Sequence, residues 1–313
     1  MKRRIISVLI SISLLLMSIP ALAISGTGTE SDPYLISTES DIAKIHNDLD
    51  GYYKLTANID MADVAFEPIG NENEGAFTGT IDGAGYTISN LNINLPDNKY
   101  VGFVGYLEGT IKNLNIVNVD AYGYRYVGGL VGYASSSSAI INSSVSGKVD
   151  GKYEIINIQV GGIVGKCSGN LNSVTNYADV DVSNATRTFM YCGGVVGILD
   201  GTMENCFNKG NISSSSAYVY LGGVGGYSSS SIYNCMNYGE VFSNGCTGGI
   251  VGYSSKNISK CVNYNKVSCE YNDRGTGGIA GVACKSVSNC INYGEINSKD
   301  YTGAFLLSNK NEV

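Results

Sequence analysis

Short runs of Val, Ile and Leu alternate along this chain with clusters of Gly, Ser and Asn. Apolar runs this brief, bounded by turn-forming residues, predict strands and turns rather than helices. A longer period lies over the short one. A glycine-framed apolar motif recurs six times, at Gly128–Gly132, Gly161–Gly165, Gly193–Gly197, Gly222–Gly226, Gly248–Gly252 and Gly277–Gly281, with degenerate copies at Gly102–Gly105 and Gly303–Leu306. Successive final glycines are 26 to 33 residues apart. Counted from that glycine, position +6 is apolar in five units (Leu171, Met203, Ile232, Ile258, Val287), and so is position +15 (Val180, Ile212, Val241, Val267, Ile296). Such columns arise when coils stack and each side chain lies over its counterpart at about 4.8 Å. A period in this range marks a solenoid, whose single units cannot bury their own apolar faces. The pattern predicts an all-β fold, a parallel β-helix or closely related β-solenoid, with Val241 and Val267 in its core.

The first part of the chain departs from the period. Thr38 and Asp41 have capping-box spacing, and Ile42, Ile45 and Leu49 follow at helical spacing, which predicts a short capping helix over 41–49. Tyr53–Ile59 and Phe77–Ile93 are expected as short strands, with a turn at Asp82-Gly83-Ala84-Gly85. The serine runs 135–138, 213–216 and 228–231 are expected in turns or exposed loops. The resulting organisation is a signal peptide over 1–23, an N-terminal cap with the first coils over 24–97, and a repeat solenoid over 98–313 whose last repeat is incomplete.

Lys2, Arg3 and Arg4 precede an apolar run, Ile5 to Ile19, and then Pro20 and a small-x-small site at Ala21-Leu22-Ala23. This is the layout of a cleaved secretory signal, and the run is shorter than the roughly 20 residues of a membrane span. The expected location is therefore extracellular, either secreted or held non-covalently at the cell surface, with no membrane insertion after cleavage. The net charge of −7 argues against nucleic acid as a partner, since phosphate recognition calls for clustered Lys and Arg.

Three residue types fall into further columns. Cys206, Cys235, Cys261 and Cys290 lie at +9. They lack CxxC spacing and histidine co-ligands, so no metal is expected. They are expected as an inward, mostly unbridged stack, a disulfide ladder being the alternative. Asn176, Asn208, Asn237, Asn263 and Asn292 lie at +11, where asparagine suits a turn and can hydrogen-bond along a stack. Tyr177, Tyr238, Tyr264 and Tyr293 lie at +12 and are the candidate ligand-binding residues, as an aromatic strip against sugars or a protein. Packing at a coil corner is the plainer alternative for them. No catalytic residue is assigned. His46, the single histidine, is expected to face solvent on the capping helix, and Glu240 and Glu295 recur at +14 as surface decoration. No phosphate-binding glycine loop precedes a helix, so no cofactor is expected.

The six motifs and their tails, such as Asn234-Cys235-Met236-Asn237-Tyr238-Gly239 and Asn289-Cys290-Ile291-Asn292-Tyr293-Gly294, resemble those of the GLUG-motif family of bacterial surface and adhesin-like proteins. The resemblance covers 101–307. The leader that often precedes such repeats is similar to Gly28–Tyr34, Pro68–Gly70 and Phe77–Gly83. The resemblance implies an extracellular repeat scaffold with no common catalytic motif. The expected function is an adhesion, binding or spacer module without enzymatic activity, its partner an unidentified surface glycan or protein. The alternative is a polysaccharide-active β-helix hydrolase or lyase using a carboxylate pair, which would require a unique, non-repeating acidic cluster. At the last coil either local fraying or, as the lesser alternative, weak end-to-end self-association through 297–313 is expected, since an open coil presents unpaired strand edges.

Overall fold

The structure, a computed structural model, describes residues 24–151, 157–182, 189–270, 275–298 and 302–303. It is a parallel β-solenoid in which each repeat forms one coil. A representative coil has four strand segments: Tyr126–Gly128, Val131–Ala134, Ala139–Ile141 and Ser144–Gly151. Each segment pairs in parallel with its counterparts in the coils before and after. Four sheets result, with eight strands of the first kind, seven of the second, ten of the third and fifteen of the fourth.

Both apolar columns lie inside. The +6 residues pair directly, Leu171 with Met203, Met203 with Ile232, Ile232 with Ile258 and Ile258 with Val287. The +15 residues do the same, from Val180 through Ile212, Val241 and Val267 to Ile296. Val241 and Val267 are fully buried. Within the motif the two apolar residues are buried as well, as at Leu130 and Val131 or Ile250 and Val251. Full burial of each such side chain contributes roughly 1.5–3 kcal/mol, so stacking, not local propensity, holds these two- to four-residue strands.

The fourth sheet has its large strand count for a local reason. Ile116 and Val145 occupy the position that Asn176 takes in the next coil, and their strands, Asn115–Gly123 and Ser144–Gly151, run unbroken. Asn176 turns its amide onto its own chain, donating to the Ala178 carbonyl at 2.8 Å and accepting from the Ala178 N–H at 3.0 Å. From there on the segment splits into two short strands, such as Thr175–Asn176 and Asp179–Asp181. Asparagine, unlike Val or Ile, can offer the backbone this competing bond.

Near the N-terminus a helix runs over Glu39–Lys44 and continues as one 3-10 turn, Ile45–Asn47, so it starts two residues earlier than its spacing predicts. Both halves of the Thr38–Asp41 capping box form. Ile42 and Ile45 enter the core beside Ile36, while Leu49 packs against it half-buried. The expected turn after Asp82 is present, with Ala84 and Gly85 at φ of 49° and 85°.

Two expectations need correction. The serine runs are not simply exposed: Ser138, Ser214, Ser216 and Ser228 are buried. Ser228 lies in register with Leu199 and Ser254 on an inward position, and its hydroxyl is satisfied by the Ser230 carbonyl at 2.6 Å. His46 is not left to solvent either; its Nδ1 lies 2.9 Å from a Glu74 carboxylate oxygen. The expected signal segment, 1–23, and residues 304–313 of the last repeat lie outside the described residues. That repeat does begin, with Thr302 and Gly303 paired to Thr276 and Gly277.

Candidate functional site

The asparagines at +11 form a continuous buried ladder. Each Nδ2 donates to the Oδ1 of the next coil, Asn176 to Asn208, Asn208 to Asn237 and Asn237 to Asn263 at 2.8 Å, and Asn263 to Asn292 at 2.7 Å. The second amide hydrogen goes to a carbonyl two residues on, so both donors are used. The turn they create aims the following residue outward. That residue is the +12 tyrosine.

The four candidate tyrosines thus share one outer column and are all exposed, Tyr293 most of all. Tyr238 and Tyr264 stack with ring centroids 4.6 Å apart and planes 3° from parallel, and Tyr293 continues the stack at 5.4 Å and 20°. Tyr177 stands apart from the three. Lys209 holds the intervening place, with its ammonium 4.9 Å from the Tyr177 ring centroid and 3.4 Å from its hydroxyl oxygen. The arrangement offers a flat aromatic strip edged by a cation, suited to stacking against a planar or C–H-rich partner surface.

A second set of tyrosines escaped the analysis of the sequence. The first and second segments of each coil are joined by only a Gly-apolar link, and their outward residues meet across the corner. Tyr100, Tyr106, Tyr126 and Tyr133 form one cluster, with centroid separations of 5.2 to 6.0 Å. Tyr191, Tyr220, Tyr227 and Tyr253 form another, at 5.2 to 6.4 Å. All eight rings are partly buried. The signal was present as two tyrosine-rich columns, six residues before the final motif glycine (five in the shorter first copy, at Tyr100) and one residue after it. It was obscured because Gln159, Lys166 and Ile198 interrupt them.

The +9 cysteines face inward, continuing a column that earlier coils fill with Leu114, Ser143 and Val174. The four are not bridged by disulfides in the structure. Cys206, Cys235, Cys261 and Cys290 each donate Sγ–H to the carbonyl two residues back, at 3.2 to 3.3 Å, as the Ser143 hydroxyl does at 2.9 Å. Burial pushes the Cys235 thiol well above its ordinary value, which suits packing and not reactivity.

One acidic pair does not repeat. Asp150 and Asp181 are register partners in the fourth sheet, and the next coil replaces the carboxylate with Ser213, whose hydroxyl donates to Asp181 at 3.0 Å. Burial, aided by the Asp181 charge, raises the Asp150 carboxyl to about 6, against the opposing pull of Lys148 at 3.7 Å. Among the described residues no group of three or more His, Cys, Asp and Glu side chains is placed to hold a metal ion. No helix there is long and apolar enough to cross a membrane.

Stacked coils bearing side-chain ladders on every face define a repeat β-solenoid scaffold. The family described as the GLUG motif matches residues 123–150, a span containing the first full glycine-framed motif. Halomucin of Haloquadratum walsbyi is 38% identical over 155 residues, covering 45% of this chain. An immunoglobulin A1 protease of Streptococcus pneumoniae is 29% identical over 218 residues, covering 60% of the chain. The matched regions are only 2% and 11% of those two proteins. A crystal structure of a candidate immunoglobulin A1 protease from Bacteroides ovatus shares the fold, with a TM-score of 0.61 at 21% identity, covering 90% of this chain and 86% of that one.

Proposed function

We propose that this protein is a secreted or cell-surface-associated scaffold, acting as an adhesion, binding or spacer module without catalysis. The observation that carries this reading is the exposed Tyr238–Tyr264–Tyr293 stack, held outward by the buried asparagine ladder. Aromatic rings left exposed on a rigid, repeating frame suit a partner surface, glycan or protein. The kinship with halomucin and the layout of residues 1–23 support an extracellular setting. The likeness to immunoglobulin A1 proteases supports a shared scaffold region; at 11% of the pneumococcal protein, the matched part carries no assignment of proteolysis. A glycan-array and cell-binding screen tests the proposal. Binding that Tyr264→Ala weakens supports it, and absence of binding to any glycan, matrix protein or cell removes it.

A second reading is favoured by one feature, the non-repeating Asp150–Asp181 pair with its raised carboxyl. Polysaccharide cleavage by two carboxylates needs one group protonated near neutral pH. Incubation with polyuronides and cell-wall glycans decides between the two: turnover lost in Asp150→Asn would establish the enzyme and overturn the scaffold.

A further inference from the structure

We infer that the two tyrosine clusters and the polar gap between them form one seam that binds an extended neutral polysaccharide along the solenoid axis. The seam lies at the corner between the first and second sheets and is separate from the exposed Tyr238–Tyr264–Tyr293 strip. Its shape follows from the ring contacts. On a convex corner, outward side chains of successive segments diverge. Here Tyr126 meets Tyr133 at 5.5 Å and Tyr191 meets Tyr227 at 5.7 Å, so the two outer faces converge. The rings span six coils, from Tyr100 and Tyr106 to Tyr253, which at the inter-strand spacing is a length of about 24 Å.

The gap between the clusters selects the ligand. Gln159 is the register partner of both Tyr126 and Tyr191, so it stands on the same outer column, yet it is only 4% exposed. Its Nε2 donates to the Asn157 carbonyl at 2.8 Å, while its Oε1 has no partner. The Arg125 guanidinium lies 5.3 Å from the centroid of the Tyr126 ring, and its Nε is likewise buried without a partner. A buried acceptor and a buried donor left unpaired, on neighbouring segments joined by the Gln159 N–H to Arg125 carbonyl bond, carry a real cost in a folded protein. A ligand hydroxyl can both donate to Gln159 and accept from Arg125. Sugar rings supply such hydroxyls together with the apolar C–H faces that stack on tyrosine. A proline-rich strand also stacks on aromatic grooves, but its backbone offers chiefly carbonyl acceptors and leaves Gln159 unserved.

Charge narrows the class. Besides Arg125, the gap holds Lys166, which is neutralised by Asp200 at 2.8 Å, and Asp200 also accepts from the Ser229 hydroxyl at 2.7 Å. The chain as a whole carries −7. Neither the seam nor the surrounding field favours a polyanion.

The experiment is affinity electrophoresis of the intact chain in gels containing galactomannan, xyloglucan, dextran or polygalacturonate. Tyrosine emission provides a second readout, because the chain has no tryptophan to mask it. Two variants suit the test, since each installs a residue that its own column already holds one coil earlier: Tyr191→Gln, after Gln159, and Tyr227→Ile, after Ile198. Retardation by at least one of the three neutral polymers is expected, stronger than by polygalacturonate and about three- to tenfold weaker in each variant. If no neutral polymer retards the protein, if both seam variants bind as the parent does, or if a polyproline peptide binds in place of the glycans, the inference is overturned. Loss in Tyr264→Ala alone would also overturn it, while assigning binding to the exposed strip and leaving the scaffold reading intact.

Discussion

A β-carbon placed on Gly223 would lie 2.3 Å from Cγ of Asn237, the side chain that its own coil carries to the opposite wall. The same pairing recurs at Gly162 and Asn176, Gly194 and Asn208, Gly249 and Asn263, and Gly278 and Asn292, with separations of 2.3 to 2.5 Å. The motif's second glycine is therefore required on two counts: the inward side chain of its own coil, and the carbonyl of the matching glycine in the next coil, which a β-carbon on Gly223 would meet at 2.3 Å and one on Gly249 at 2.1 Å. Where the ladder residue is Val145, the glycine persists, and Gly129 would meet Val145 Cγ1 at 2.5 Å. Gly223→Ala is expected to destabilise the protein by about 2–4 kcal/mol through overpacking against a ladder that cannot move without breaking its bonds. A double-mutant cycle with Asn237→Ala checks the cause. The combined loss should be clearly smaller than the sum of the single losses. Strict additivity would place the strain elsewhere.

The core register invites a blunter test. Val241 is fully buried between Ile212 and Val267. Val241→Asp buries a charge with no partner, and a loss of several kcal/mol is expected, visible as a large fall in Tm. Val241→Ile, which matches Ile212 in the coil before, should cost little. An unchanged melting temperature in the Asp variant would contradict the stacking.

Much of this was legible in the sequence because a solenoid turns chain period into spatial register. The +6 and +15 columns, the +11 ladder and the inward +9 cysteines follow from counting along the chain. What counting cannot give is contact between different columns of one coil. Gly223 against Asn237 and Tyr126 against Tyr133 depend on how sharply the coil bends at the Gly-apolar link. That bend is a tertiary property. A second column also passed unnoticed, at +8, where Asn205, Asn234 and Asn289 take positive φ of 50° to 56°. Asn234 donates to Asn205 there at 2.6 Å, so left-handed turns between the third and fourth sheets carry a half-buried contact of their own between successive coils. Ser173 and Lys260 hold the same conformation and hide the pattern from an eye seeking asparagine.

The thiols give a chemical test of orientation. Cys206, Cys235 and Cys261 are buried, whereas Cys290 at the far end of the column is partly open. Under native conditions iodoacetamide should label Cys290 well before the other three, as read by peptide mass spectrometry. Adding a reductant should leave Tm nearly unchanged. Cys206–Cys235 and Cys261–Cys290 disulfides, with collapse on reduction, would show that the protein uses the column as a covalent staple.

Asp150 yields a prediction with a definite sign. Burial first, and then the neighbouring Asp181 charge, raises its carboxyl from 3.8 to about 6 in the folded chain. The unfolded chain therefore releases this proton at lower pH than the folded one. It follows that this group's contribution to stability is greatest below about pH 4, falls as pH rises to about 6, and is constant above that. Asp150→Asn mimics the protonated acid. Solvent reaches part of the site, so the variant should exceed the parent in stability at pH 7 by on the order of 1 kcal/mol, not by the full value of the shift. The two proteins should converge near pH 4. Denaturant titrations at pH 4, 5, 6 and 7, compared as variant minus parent, give the answer directly. A variant less stable than its parent at pH 7 would mean that Lys148, not burial, governs the site. A more stable variant identifies Asp150 as a residue held at a cost to the fold, which gives the carboxylate-pair reading of this solenoid a physical foothold.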